Sequence, residues 1–90
     1  MVTKKEFPGR IEYWNEKGKL HRLDGPAIEW DSGSKYWCIN GQYHREDGPA
    51  VEYSDGSKSW CLNGKYYYNE QQFQQEVIKI KLERLRNYGN

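Results

Sequence analysis

The chain has little of what most functional classes require. It carries two cysteines and one methionine in 90 residues. That is too few thiols for a disulfide scaffold, and the pair suits a reducing, cytoplasmic setting. No apolar run is long enough for a signal peptide or a membrane span. Charge of one sign is also missing. Fourteen Lys and Arg against thirteen Asp and Glu leave a formal charge of +1, so neither a polybasic nucleic-acid tail nor an acidic mimic of one is present. Aliphatic content is low, with 36% hydrophobic residues in all. Aromatics compensate at 16%, including eight Tyr and four Trp. Each aromatic buries a large area, which argues for a folded domain rather than a disordered chain.

One stretch occurs twice. HRLDGPAIEWDSGSKYWCINGQ starts at His21 and HREDGPAVEYSDGSKSWCLNGK at His44, a step of 44 − 21 = 23 residues. The same step links Asp24 to Asp47, Pro26 to Pro49, Trp37 to Trp60, Cys38 to Cys61 and Asn40 to Asn63. A fixed period of this size marks stacked supersecondary units. Residues 9–22 read as a degenerate half repeat, with Trp14 aligned to Trp37 and Gly18 to Gly41. Residues 1–8 read as a frayed start.

Turn chemistry sets the strands. Asn40-Gly41 and Asn63-Gly64 are type I′ hairpin signals, because both central residues need positive φ. Ser32-Gly33 and Asp55-Gly56 host further turns. Asp24-Gly25-Pro26 and Asp47-Gly48-Pro49 interrupt strands. Strands are expected near 10–14, 27–31, 35–39, 50–54 and 58–62, with short partners near 19–22, 42–45 and 65–68. Alternation puts Trp37, Ile39, Trp60 and Leu62 on one face, taken as the buried one. Tyr36, Cys38, Ser59 and Cys61 take the other. Equivalent cysteines two strands apart lie roughly 9–10 Å from one another, too far for an unstrained bridge, so both are read as free thiols.

From Asn69 the pattern becomes helical, with Asn69 as cap and Gln72 in capping-box position. Phe73, Val77, Ile80 and Tyr88 gather in one sector. Ile78, Leu82 and Leu85 gather in a second, roughly 100–120° away. The first sector covers the sheet, burying Trp37 and Trp60. The second is either a partner surface or homodimer seam, or is covered by a curling sheet. The fold class is therefore α+β: one domain over 1–90, an antiparallel β-meander of two full repeats and a partial one (9–68), and a C-terminal helix (69–88).

The candidate chemistry is thin. His21 and His44 are repeat equivalents, so they space along the sheet rather than converge as metal ligands do. The expected role of each His-Arg-x-Asp is a turn bonded to a loop carbonyl or to its own Asp. Glu29 and Glu52 are expected to pair with Lys35, Lys58, Arg22 or Arg45, not to form a catalytic carboxylate couple. No catalytic residue, metal ligand or cofactor is assigned. The aromatics interleaved with Lys and Arg have the composition of a protein-binding hot spot, or of a stacking platform for nucleotides and single strands. The neutral charge disfavours the second reading. The residues expected at a partner surface are Trp30, Tyr36, Tyr43, Tyr53, Tyr67, Ile78, Leu82 and Leu85.

The 23-residue period and the order Trp-x-x-Asn-Gly-x-x-His-Arg-x-Asp-Gly-Pro-Ala over Trp37–Ala50 resemble the MORN repeat. The resemblance covers about residues 10–68. It departs from the family in reading Arg-x-Asp-Gly-Pro-Ala where MORN repeats carry a glycine pair, as in a variant type found in small bacterial and phage proteins. It implies a MORN-like meander used for binding rather than for turnover. It further implies a phage or mobile-element protein that inhibits a host defence protein, such as a CRISPR effector nuclease, by stoichiometric occlusion. An antitoxin-like interaction module is a related alternative. The expected partner is thus a host protein, with no membrane involved.

Overall fold

A computed structural model describes residues 2–88, with side chains through Asn87. Among the described residues nine strands precede one helix. The strands are β1 (Thr3–Phe7), β2 (Arg10–Trp14), β3 (Ile28–Trp30), β4 (Lys35–Tyr36), β5 (Cys38–Ile39), β6 (Gln42–Tyr43), β7 (Val51–Glu52), β8 (Lys58–Leu62) and β9 (Lys65–Tyr67). The helix α1 spans Glu70–Tyr88. Seven strands form an antiparallel sheet in the order β1-β2-β3-β4-β7-β8-β9, and β5-β6 form a side hairpin. The architecture is the expected α+β meander with a C-terminal helix.

The turns follow from residue chemistry. Asn40 and Asn63 have φ of 50° and 51°, and Gly41 and Gly64 follow at 80° and 82°. These are the two left-handed residues of a type I′ turn. Each turn docks on the preceding repeat. The amide of Asn40 donates to His21 Nδ1 (3.0 Å) and that of Gly41 to the Leu20 carbonyl (2.8 Å). Asn63 does the same to His44 Nδ1 (2.9 Å) and Gly64 to the Tyr43 carbonyl (2.9 Å). The histidines therefore staple one repeat to the next.

Two expectations for the N-terminal part change. Residues 3–7 are not frayed. They pair with β2 in register from Thr3–Trp14 to Phe7–Arg10, around a Pro8-Gly9 turn in which Gly9 has φ of 87°. Pro followed by a left-handed Gly is turn chemistry in its own right. The exposed β1 carries Lys4 and Lys5, charges that discourage edge-to-edge pairing. The half repeat is also shifted by one residue. The His21 amide bonds to the Tyr13 carbonyl, as that of His44 does to Trp37. The Tyr13 amide bonds to Ala27, as that of Trp37 does to Ala50. Tyr13, not Trp14, is thus the counterpart of Trp37. The Asn15–Lys19 loop closes with a bond from the Asn15 amide to the Lys19 carbonyl (2.9 Å). It holds one residue more than the Asn-Gly turns, and that insertion displaces the alignment.

The helix starts where Asn69 Oδ1 accepts the Gln72 amide (2.9 Å), an N-cap bond. Phe73 and Val77 are buried on Leu62, with Trp60, Tyr67 and Ile80 around them. Burying Phe73 and Val77 stabilises by roughly 1.5–3 kcal/mol each. The helix covers Trp60 but not Trp37, contrary to expectation. Trp37 lies instead under the Arg45 guanidinium at 3.8 Å, as Tyr13 lies under Arg22 at 4.0 Å.

Candidate functional site: the tyrosine face

Strand register divides the sheet into two faces. Tyr36 pairs with Val51 and Val51 with Ser59. Cys38 pairs with Tyr43, and Cys61 with Tyr66. These residues, with Tyr53 two positions beyond Val51, share the face opposite α1. The other face holds Trp37, Trp60, Leu62 and Tyr67, as the alternation requires. The deepest burial is on the first face as well as the second. Cys38, Val51 and Cys61 are 0–1% exposed. Among the described residues no helix lies over them, and Tyr43 and Tyr66 stand beside the two cysteines as their cross-strand partners.

Those rings form a chain. Tyr53 meets Tyr36 edge-on at 6.2 Å, Tyr36 stacks on Tyr43 at 5.9 Å, and Tyr43 meets Tyr66 edge-on at 6.4 Å. Each such pair adds about 0.5–1.5 kcal/mol beyond area burial. Tyr36 and Tyr43 are half-buried, whereas Tyr53 (41%) and Tyr66 (57%) present their rings to solvent. Towards β1 the same face continues with Trp14, whose ring carries Lys5 Nζ at 4.9 Å. Arg10 then lies between Phe7 (4.4 Å) and Trp30 (5.4 Å). Arg10 also holds Glu12 at 2.7 Å, which keeps the Glu12 carboxyl below its ordinary range.

The ionisable groups of this face are shifted towards their neutral forms. Burial, together with the nearby Cys61, pushes the Cys38 thiol up to about 11. Burial raises Cys61 too. Burial, then Cys38 and the surrounding tyrosines, raises Tyr43. Thiols and phenols thus stay neutral, and a neutral buried thiol is a poor nucleophile. Both cysteines are free. Among the described residues no group of three His, Cys, Asp or Glu is placed to hold a metal ion. The histidine Nδ1 lone pairs are already engaged by turn amides.

Glu29 and Glu52 meet arginines, one of the pairings expected. Arg22 Nη1 reaches Glu29 at 3.1 Å and Arg45 Nη1 reaches Glu52 at 3.2 Å. The same nitrogens donate to the carbonyls of Pro26 (3.1 Å) and Pro49 (3.0 Å), and each Nε donates to Asp24 or Asp47. The His-Arg-x-Asp segments are therefore turns tied by their arginines. Between these loops and Lys81 of α1 lies an open groove of about 640 Å³ floored by Trp37 and Ile39.

The expected contact residues fall into three places. Tyr36, Tyr43 and Tyr53 come together, and Trp30 shares their face at its far end. Tyr67 does not join them, because its ring packs on Phe73 at 6.2 Å in the helix–sheet core. Ile78 (56%), Leu82 (57%) and Leu85 (70%) stay exposed on the helix. Tyr66 was missed, although the two-residue Asn63-Gly64 turn implies it. That turn pairs Leu62 with Lys65 and hence Cys61 with Tyr66. No helix among the described residues is long and apolar enough to cross a membrane. Comparison with family models, with curated proteins and with solved structures gave no match.

Proposed function

We propose that this chain is a non-enzymatic protein-binding module whose recognition surface is the tyrosine face. The observation that carries the reading is the continuous ring contact of Tyr53, Tyr36, Tyr43 and Tyr66 on a sheet face that no second layer of the described residues covers. Tyrosine supplies large, rigid contact area at low entropic cost and keeps a hydroxyl for hydrogen bonding. Rings already locked against one another lose little freedom on binding. A protein partner is favoured over a single strand because, among the described residues, the cations on this face are Lys5 and Arg10 at its β1 end, and Arg10 is paired with Glu12. Phosphate neutralisation would then contribute little. The function is occupancy of a partner's surface in stoichiometric amount. Inhibition of a host defence protein, the narrower reading implied by the MORN-like repeats, is one form of such occupancy and rests on that resemblance alone.

The test compares the tagged wild type with a Tyr53→Ala/Tyr66→Ala variant. A protein retained stoichiometrically by the wild type through nuclease and high salt, and lost by a variant of unchanged unfolding midpoint, supports the reading. A bound oligonucleotide lost at high salt, or a partner retained equally by the variant, refutes it.

A further inference from the structure

The geometry points to a second docking site, on the exposed stripe of α1, for an amphipathic helix of another protein whose apolar seam is flanked by Asp and Glu. This site lies on the opposite side of the sheet from the tyrosine face and does not depend on it. Ile78, Leu82 and Leu85 are spaced four and three residues apart and fall within a narrow arc of the helix. That is the a/d spacing of a helix–helix seam. They are 56%, 57% and 70% exposed, while Phe73 and Val77 on the adjacent sector are 0% and 2% exposed. The sheet therefore uses one sector and leaves the other.

The residues bordering the stripe decide what fits it. Lys79 and Arg86 flank one side and Lys81 the other. Lys79 touches Glu76 at 3.5 Å, yet its side chain remains 68% exposed. Lys81 is exposed and also lines the groove beside the arginine loops, together with Asp24, Glu46 and Asp47. The acidic Glu76 and Glu83 lie further round, beyond Lys79, and do not border the seam. A second copy of this chain is a poor occupant. Antiparallel self-pairing sets Lys81 against Lys81 and Lys79 against Arg86, and parallel pairing sets Lys81 against Arg86. Like charges at these positions oppose association. An anionic membrane would accept the cations but is met best by a broad apolar face, and this seam is narrow. An acidic-flanked helix answers both the width and the charge.

The test uses the full chain and two designed peptides of ~21 residues, each with Leu at the a and d positions. One carries Glu at e and g, the other Lys. Binding is read by fluorescence anisotropy at low and high salt. The Glu peptide is expected to bind. Leu82→Gln and Lys81→Glu should each weaken it by about tenfold or more, and Tyr66→Ala should leave it unchanged. Because both altered side chains are surface groups, circular dichroism should match the wild type. Failure of the Glu peptide to bind, or equal binding of the Lys peptide, overturns the proposal. So does a monomer–dimer equilibrium in sedimentation that Leu82→Gln abolishes, which would make the occupant a second copy. Co-sedimentation with phosphatidylserine vesicles that requires Leu82 would make it a membrane and overturns it equally.

Discussion

Gly48 is predicted to be glycine because of Arg45, and a double-mutant cycle tests this. Arg45 lies flat on Trp37 at 3.8 Å while its nitrogens reach Asp47 (3.1 Å), the Pro49 carbonyl (3.0 Å) and Glu52 (3.2 Å). Asp47 is 86% exposed, so that pair contributes about 0–1 kcal/mol. The bond to the Pro49 carbonyl is charge-assisted and contributes about 1.5–3 kcal/mol. The cation–π contact adds about 0.5–2 kcal/mol. Arg45→Ala should therefore cost about 3 kcal/mol. A Cβ at Gly48 would lie 2.9 Å from Arg45 Cζ, inside contact distance, and the backbone there is not left-handed. Gly48→Ala must displace the guanidinium from its partners, at about 1–2 kcal/mol. In the Arg45→Ala background there is nothing to displace, so the same change should cost close to zero. The coupling is thus about 1–2 kcal/mol, read from urea unfolding followed by tryptophan fluorescence. Additivity to within about 0.3 kcal/mol would refute the argument. Gly25 and Arg22, with a separation of 3.0 Å, provide an independent repeat of the cycle.

Four further outcomes follow. Cys38 is neutral in the fold up to about pH 11, whereas in the unfolded chain it ionises near its ordinary value. Its contribution is complete below the unfolded value and is lost as pH rises towards 11, so stability should fall across that window and Cys38→Ala should flatten the fall. Native Cys38 and Cys61 should also resist iodoacetamide until urea unfolds the chain. Asn63 sits at φ 51°, so Asn63→Ala should cost about 1 kcal/mol in the unfolding midpoint, whereas Asn63→Gly should cost less. The Glu46 carboxyl is held below its ordinary value, first by the hydrogen bond from Arg84 and then by its charge. That contribution is present at neutral pH and lost as pH falls through the carboxylate range, so Arg84→Gln should flatten the acid limb of the stability profile.

Much of this was legible before the structure, for local reasons. Asn-Gly turns, strand alternation and the cap at Asn69 are each decided within a few residues. What escaped depended on counting or on long-range partners. The three-residue loop of the half repeat moved Tyr13 into the position assigned to Trp14. The expectation that His or Arg bonds a loop carbonyl or its own Asp is met by the arginines, which do both, and it leaves out what the histidines do. His21 and His44 accept amides 19 residues ahead. The candidate site was visible as a list of tyrosines. Its selection required the register, which separates Tyr66 from Tyr67 by one residue and puts them on opposite faces.

The register also explains why the chain ends its repeats with a helix. Tyr13, Trp37 and Trp60 occupy one position in successive hairpins. Arg22 covers the first and Arg45 the second. The third repeat would need an arginine 23 residues after Arg45, and that place holds Tyr68, which is 89% exposed. Helix α1 covers Trp60 instead, with Phe73 and Val77 on Leu62 beside it. The substitution is imperfect. Trp60 Nε1 is buried with no hydrogen-bond partner among the described residues, and an unmet donor costs about 1–3 kcal/mol. Trp60→Phe removes that donor along with part of the ring, so its net cost should be about 1 kcal/mol or less, against about 3–5 kcal/mol for Phe73→Ala. A Trp60→Phe cost equal to that of Phe73→Ala would mean that the indole nitrogen is satisfied in solution and that the helix is a full replacement for the missing arginine.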